Sequence, residues 1–80
     1  MLILRRAQRQ LADLPEEAYR RVKAAIAKLA DNPRPRGCLK LIGRDGWRIR
    51  VGDYRAIYDI DDGERKVTVL DVGHRRDVYG

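Results

Sequence analysis

An α+β fold, with two helices packed on one face of a small, mainly antiparallel β-sheet, is predicted by three features of this 80-residue chain. Apolar residues recur at helical spacing between positions 5 and 30. A loop rich in proline and glycine at 31–37 then closes the helical half. Beyond it, stretches of alternating polarity are joined by turns too short for anything but antiparallel neighbours.

Taken in order, Leu2 to Leu4 form a short strand, and residues 5–13 a short helix with Ala7, Leu11 and then Leu14 on its inner side. Pro15 punctuates the chain and suits the first position of a second helix, 16–30. There Ala18, Tyr19, Val22, Ala25, Ile26 and Leu29 make one apolar stripe, and Glu16 and Glu17 sit in the first turn, where the helix dipole favours acids. Arg20, Arg21, Lys23 and Lys28 occupy the solvated face of the same helix. Residues 39–41, 47–51, 54–60 and 66–72 read as strands, with turns at 43–46, 52–53 and 61–64. The last strand should end at Gly73. Both helices need one sheet face to bury their stripes, which leaves the other face open.

A chain of this length is one domain, residues 1–80, burying roughly 60% of its unfolded surface. Eighteen basic against twelve acidic side chains give a net charge of +6, which favours a polyanionic partner. Cys38 is the sole cysteine, so an intramolecular disulfide and a thiolate metal cage are excluded; it reads as a small structural residue of a reducing, cytoplasmic compartment. The apolar start, Leu2-Ile3-Leu4, is too short for a signal-peptide core or a membrane span. No cofactor or metal is expected.

Strand parity sorts the side chains. Arg48 and Arg50 share one face of their strand, and Trp47, Ile49 and Val51 the other. In the next strand Arg55, Ile57 and Asp59 oppose Tyr54, Ala56, Tyr58 and Ile60. Placing Arg55 beside the earlier arginines sends the tyrosines and Trp47 toward the helices, as core residues. The result is a compact cationic face suited to phosphate groups. In the last strand Val67, Val69 and Asp71 oppose Thr68, Leu70 and Val72, and parity leaves the inward side open.

These residues resemble the RelE/ParE superfamily of toxins from toxin-antitoxin pairs, and its RelE branch in particular. The resemblance runs through the helical pair around Leu14-Pro15, the loop Asn32-Pro33-Arg34-Pro35, the step Leu41-Ile42-Gly43, the segment Arg50-Val51-Gly52-Asp53-Tyr54-Arg55-Ala56-Ile57-Tyr58, and Val72-Gly73-His74-Arg75-Arg76-Asp77-Val78-Tyr79. It implies a toxin that enters the ribosomal A site and cuts messenger RNA without a metal. The RNA's own 2'-hydroxyl attacks the adjacent phosphorus and leaves a 2',3'-cyclic phosphate. It also implies a cognate antitoxin, with which the toxin forms a hetero-oligomer, and no membrane partner.

By position, Arg48 and Arg50 match basic residues of the family's active strand, which are usually lysines. Arg55 matches its phosphate-binding arginine, Arg75 the arginine beside the leaving oxygen, and Tyr79 the C-terminal tyrosine that orients or stacks on a base. Arginine at 48 and 50 is a departure with a chemical cost, because a guanidinium stays charged and makes a poor general base. Tyr79 and His74, the only histidine, remain as groups able to exchange a proton, since an imidazole does so near neutral pH. His74 has an alternative role in packing at the strand end. Tyr79 is balanced between core anchor and ligand contact, and Arg75 and Arg76 could pair with Asp71 or Asp77. A second departure is the first strand, which in the family usually extends several residues before the position of Leu2. A short edge strand exposes its neighbour's backbone to pairing. Two other functions fit the same fold: a ParE-like inhibitor of DNA gyrase, and an inactive RNA- or antitoxin-binding relative.

Overall fold

The computed structural model describes residues 1–74. Strand β1 (Leu2–Ile3) runs straight into α1 (Arg5–Ala12), and α2 (Glu16–Lys28) follows after a short turn. Pro15 stands just outside α2, its extended backbone (φ −54°, ψ 149°) turning the chain into Glu16, so it is the N-cap and not the first helical residue. Four strands follow among the described residues: β2 (Leu39–Lys40), β3 (Trp47–Val51), β4 (Tyr54–Asp61) and β5 (Lys66–His74). They form one five-stranded sheet in the order β1-β5-β4-β3-β2, antiparallel except for the parallel pair β1 and β5.

The core lies between the helices and one sheet face. Ala7 and Leu11 of α1 and Val22 and Ile26 of α2 pack with Ile49, Ala56, Tyr58, Val67, Val69 and Val72. Trp47, Val51 and Tyr54 join this cluster as partly buried members, as strand parity predicts for the inward side. The Tyr58 hydroxyl donates to the Pro33 carbonyl oxygen at 2.7 Å, fastening the loop after α2 to the central strand. Arg34 reinforces it with a two-pronged hydrogen bond to Asp62 (3.0 and 2.9 Å) and lies 4.9 Å over the Trp47 ring. That bond holds the Asp62 carboxyl below its ordinary range and raises Arg34 in return.

The last strand settles what parity left open, and it does so with a bulge. Ile57 pairs with Asp71 while Tyr58 pairs with Val69, so Leu70 is the extra residue. This one-residue step brings Val67, Val69 and Val72 all to the core, although strict alternation would separate Val69 from Val72. It also sends Leu70 to the opposite face. The strand does not end at Gly73 but continues through His74, because Gly73 and His74 still pair with Arg55 and Tyr54.

The edge beside the short first strand is partly covered by a side chain. β1 pairs only with Thr68 and Val69, and Leu4 N–H donates to Val69 O at 3.0 Å. Farther along the same edge, the Gln10 carboxamide oxygen accepts from Val72 N–H at 2.8 Å, and its Nε2 donates to the Asp71 carboxylate at 2.9 Å. A helix side chain thus caps the sheet edge just beyond the end of β1, where the chain has already turned into α1. Gln10→Leu leaves a part-buried N–H and a carboxylate oxygen without this partner, so it is expected to cost about 1–3 kcal/mol in urea unfolding.

Candidate functional site

Register decides which cations meet. Arg50 stands directly opposite Arg55 across β3 and β4, and Arg48 opposite Ile57, all on the face away from the helices. Directly opposed residues have Cα atoms about 4.5–5.5 Å apart, and like charges in that position destabilise a sheet. An anion between the two guanidinium groups converts that repulsion into attraction, each fork offering paired donors to phosphate oxygens. The turn that makes this pairing possible is Gly52-Asp53, with Gly52 at φ 60°, in the left-handed region that glycine tolerates.

The arginines differ in their surroundings. Arg48 and Arg55 are half-buried, whereas Arg50 is exposed and its Nε donates to Gly52 O at 3.1 Å. Arg50 therefore bends around the end of its own strand and borders the outer sheet edge as well as the open face. His74 meets the Tyr54 ring edge-on, with centroids 5.7 Å apart. Arg75, Arg76 and Tyr79 lie outside the described residues.

The open face is less bare than parity alone suggests. Leu41 folds over Ile57, which is only 1% exposed, and Leu70 packs beside them as a second small cluster. The loop after β2 closes through Leu41 N–H to Gly46 O at 3.0 Å. Gly46 has φ 123°, and a Cβ there would stand 3.1 Å from the Leu41 side chain. This closure brings Arg44 to the rim of a cleft of about 560 Å3 that also meets Ile57, Asp71, Gly73, His74 and Arg6. Neither Arg44 nor Arg6 stands out in the sequence. One sits in a turn and the other on a helix, where a charge reads as ordinary solvation, and only the loop closure and the α1–β5 packing bring them to the same cleft. Among the described residues, no group of His, Cys, Asp and Glu side chains gathers to hold a metal ion.

Solved structures with this architecture define the class. A chain of the archaeal RelE-RelB complex from Pyrococcus horikoshii OT3 superposes with a TM-score of 0.81 at 30% identity, over 95% of this chain and 93% of that one. The intact Escherichia coli RelBE toxin-antitoxin complex gives 0.78 at 25% identity, over 91% and 92%. The RelBE2 complex of Mycobacterium tuberculosis gives 0.68 at 31%, over 91% and 93%. No curated protein matches the chain by sequence. The class is that of α+β toxins of the RelE/ParE superfamily, which act within toxin-antitoxin systems. Residues 2–79 match the model for the ParE toxin of type II toxin-antitoxin systems, parDE, and the chain belongs to that family.

Proposed function

We propose that this toxin is a ribosome-dependent endoribonuclease that cleaves messenger RNA in the A site. The observation that carries the reading is the cross-strand pair Arg50 and Arg55, with Arg48 on the same face. A gyrase poison acts by binding a protein and has no chemical need of three guanidinium groups on one sheet face. A phosphoryl-transfer site does need them, since preorganised cations stabilise the charge that develops on the transferring phosphate.

In the proposed reaction the 2'-hydroxyl oxygen bonds to the adjacent phosphorus while the bond to the 5'-oxygen breaks. The products are a 2',3'-cyclic phosphate and a 5'-hydroxyl. One proton must leave the 2'-oxygen and one must reach the 5'-oxygen. Arg48, Arg50 and Arg55 neutralise the pentavalent phosphate, and Arg75, by its match to the family's position, is assigned to the leaving oxygen. His74 or Tyr79 takes the proton that no guanidinium can accept, and water gives one to the departing 5'-oxygen. The nucleophile and leaving group both belong to the RNA, so the scheme calls for no metal. A cognate antitoxin, as in the RelB-containing complexes above, binds and silences the toxin.

The family match itself favours a second reading, since the matching model is that of the ParE toxin. A translation reaction with purified ribosomes and a defined messenger, read by primer extension, separates the two when a gyrase supercoiling reaction is run beside it. Cuts at A-site codons support the first reading. Gyrase inhibition without cuts supports the second, and inactivity in both marks a binding-only relative. In the same reaction, a catalytic imidazole predicts that His74→Gln slows cleavage by about 10²–10⁴-fold. Wild-type rates would remove His74 from the proton transfer.

A further inference from the structure

Asp71 runs against the charge of the face on which it stands. With strict alternation it would follow Val69 into the core, but the bulge at Leu70 sets Asp71 directly opposite Ile57, just as Ile57 stands opposite Arg48. Asp71 and Arg48 therefore share one cross-strand row, two strand spacings or roughly 10 Å apart. In the next row come Arg50, Arg55 and Gly73, and Gly73 places no side chain between Arg55 and the space beside Asp71. A carboxylate repels the phosphate groups that the arginines attract, so its contact with a bound RNA must be with something else.

Packing accounts for only half of this carboxylate. Its Oδ1 accepts from Gln10 Nε2 at 2.9 Å and lies 3.2 Å from Arg6 Nε, and the side chain is 20% exposed. Two donors from α1 thus hold the group in place. Oδ2 has no partner among the described residues, and neither do the terminal nitrogens of Arg6. Both residues line the cleft of about 560 Å3, together with Arg44, Gly73 and the apolar Leu14 and Ile57. The cleft therefore sets one fixed acceptor beside guanidinium donors and apolar surface. That combination suits the edge of a flat heterocycle, and single-stranded RNA is read through the edges of its unstacked bases.

We propose that the cleft receives a base of the bound RNA and that Asp71 determines which one: Oδ2 accepts from an exocyclic amino group, and Arg6 donates to the ring nitrogen beside it. The proposal rests on the RNA-cleaving reading above and adds to it the base that the site prefers. Cytosine and adenine carry an amino group next to a ring acceptor on the Watson–Crick edge. Uracil presents a carbonyl oxygen and an N–H in the same places, so both contacts would be repulsive. Phosphate contacts to Arg48 and Arg55 position the strand without regard to sequence, and Asp71 supplies the discrimination.

The probes are two short fluorescein-labelled RNA oligonucleotides of equal length, one of cytidines and one of uridines, titrated into the full chain. The cytidine strand is expected to bind roughly tenfold tighter, the worth of one hydrogen bond to a charged acceptor. Amide shifts should appear at Asp71, Val72 and Gly73. Asp71→Asn is the decisive variant, because its carbonyl oxygen can still serve Gln10 and Arg6 while an amino group replaces Oδ2. A donor then stands where the acceptor was, and the preference should swing toward uridine. A purely structural Asp71 would change stability, read by thermal unfolding, without moving that preference. Failure of either strand to bind, equal binding of both, a preference unchanged in Asp71→Asn, or shifts that spare Asp71 to Gly73 would overturn the proposal. Binding needs no ribosome, so absence of A-site cuts leaves a cytidine preference standing. Cuts without that preference would remove Asp71 from base selection and leave the endoribonuclease reading in place.

Discussion

Arg55→Ala is expected to reduce A-site cleavage by about 10²–10³-fold, the loss that follows removal of one preorganised donor to a developing anion. Arg55 lies in the central strand β4, half-buried, opposite Arg50 on one side and Gly73 on the other. Gly73, its direct partner on β5, has no side chain to replace its charge. Arg55→Lys keeps the charge and loses the planar fork, so its rate should fall between those of the alanine variant and the wild type. The measurement is primer extension on ribosomes programmed with a defined messenger, with thermal unfolding of each variant as a control. A folded alanine variant that cuts at the wild-type rate would remove Arg55 from the site and with it the proposed role of the opposed pair.

Tyr58→Ala is expected to cost about 3–5 kcal/mol. That is a large share of the stability of any domain this size, for which roughly 0.05–0.15 kcal/mol per residue is usual. Tyr58 is fully buried at the centre of the main core and carries the hydrogen bond that fastens the 31–37 loop. Tyr58→Phe keeps the ring and loses the bond, so the cost should drop to about 0.5–1.5 kcal/mol. Chemical denaturation of the three proteins measures both figures.

The same residue sets an alkaline limit. Burial pushes the Tyr58 hydroxyl well above the ordinary tyrosine range, and Cys38 beside it adds to the shift. The unfolded chain ionises this tyrosine near pH 10 or so, while the folded chain keeps it neutral. Its contribution is therefore complete below that pH and is lost as pH rises toward the folded value. Tyr58→Phe should lack this part of the decline. Parallel stability curves for the two proteins above about pH 10 would contradict the assignment.

Much of this was readable from residue order. The stripe Val22, Ile26 and Leu29 could bury itself only as a helix face, and all three are almost wholly buried. Parity put Arg48 with Arg50 and set Arg55 against Tyr58, because a strand has period two whatever packs on it, and placing the three arginines together then aligned the two strands. The limits of that logic appear in β5. A single extra residue, Leu70, reverses the alternation, and nothing in Val67-Thr68-Val69-Leu70-Asp71-Val72 announces it. Bulges arise from how two strands fit together, so one strand's sequence does not contain them.

The site divides in the same way. Residue types and their spacing established by themselves a cationic sheet face and paired helices, since periodicity and charge are local properties, while the toxin superfamily entered through a resemblance of motifs. Only the tertiary structure decided that Arg50 opposes Arg55 directly, that Leu41 roofs Ile57 and brings Arg44 to a cleft, and that Gln10 caps the edge of β5 beyond the end of β1. It alone revealed that Gln10 and Arg6 hold Asp71 in that cleft, beside the arginine face. Each of these depends on register or on contacts between distant segments, with Gln10 and Val72 being 62 positions apart. Such pairings are set when the whole chain closes on itself, because the cost of an unpaired backbone group or a buried charge is decided by what arrives from elsewhere.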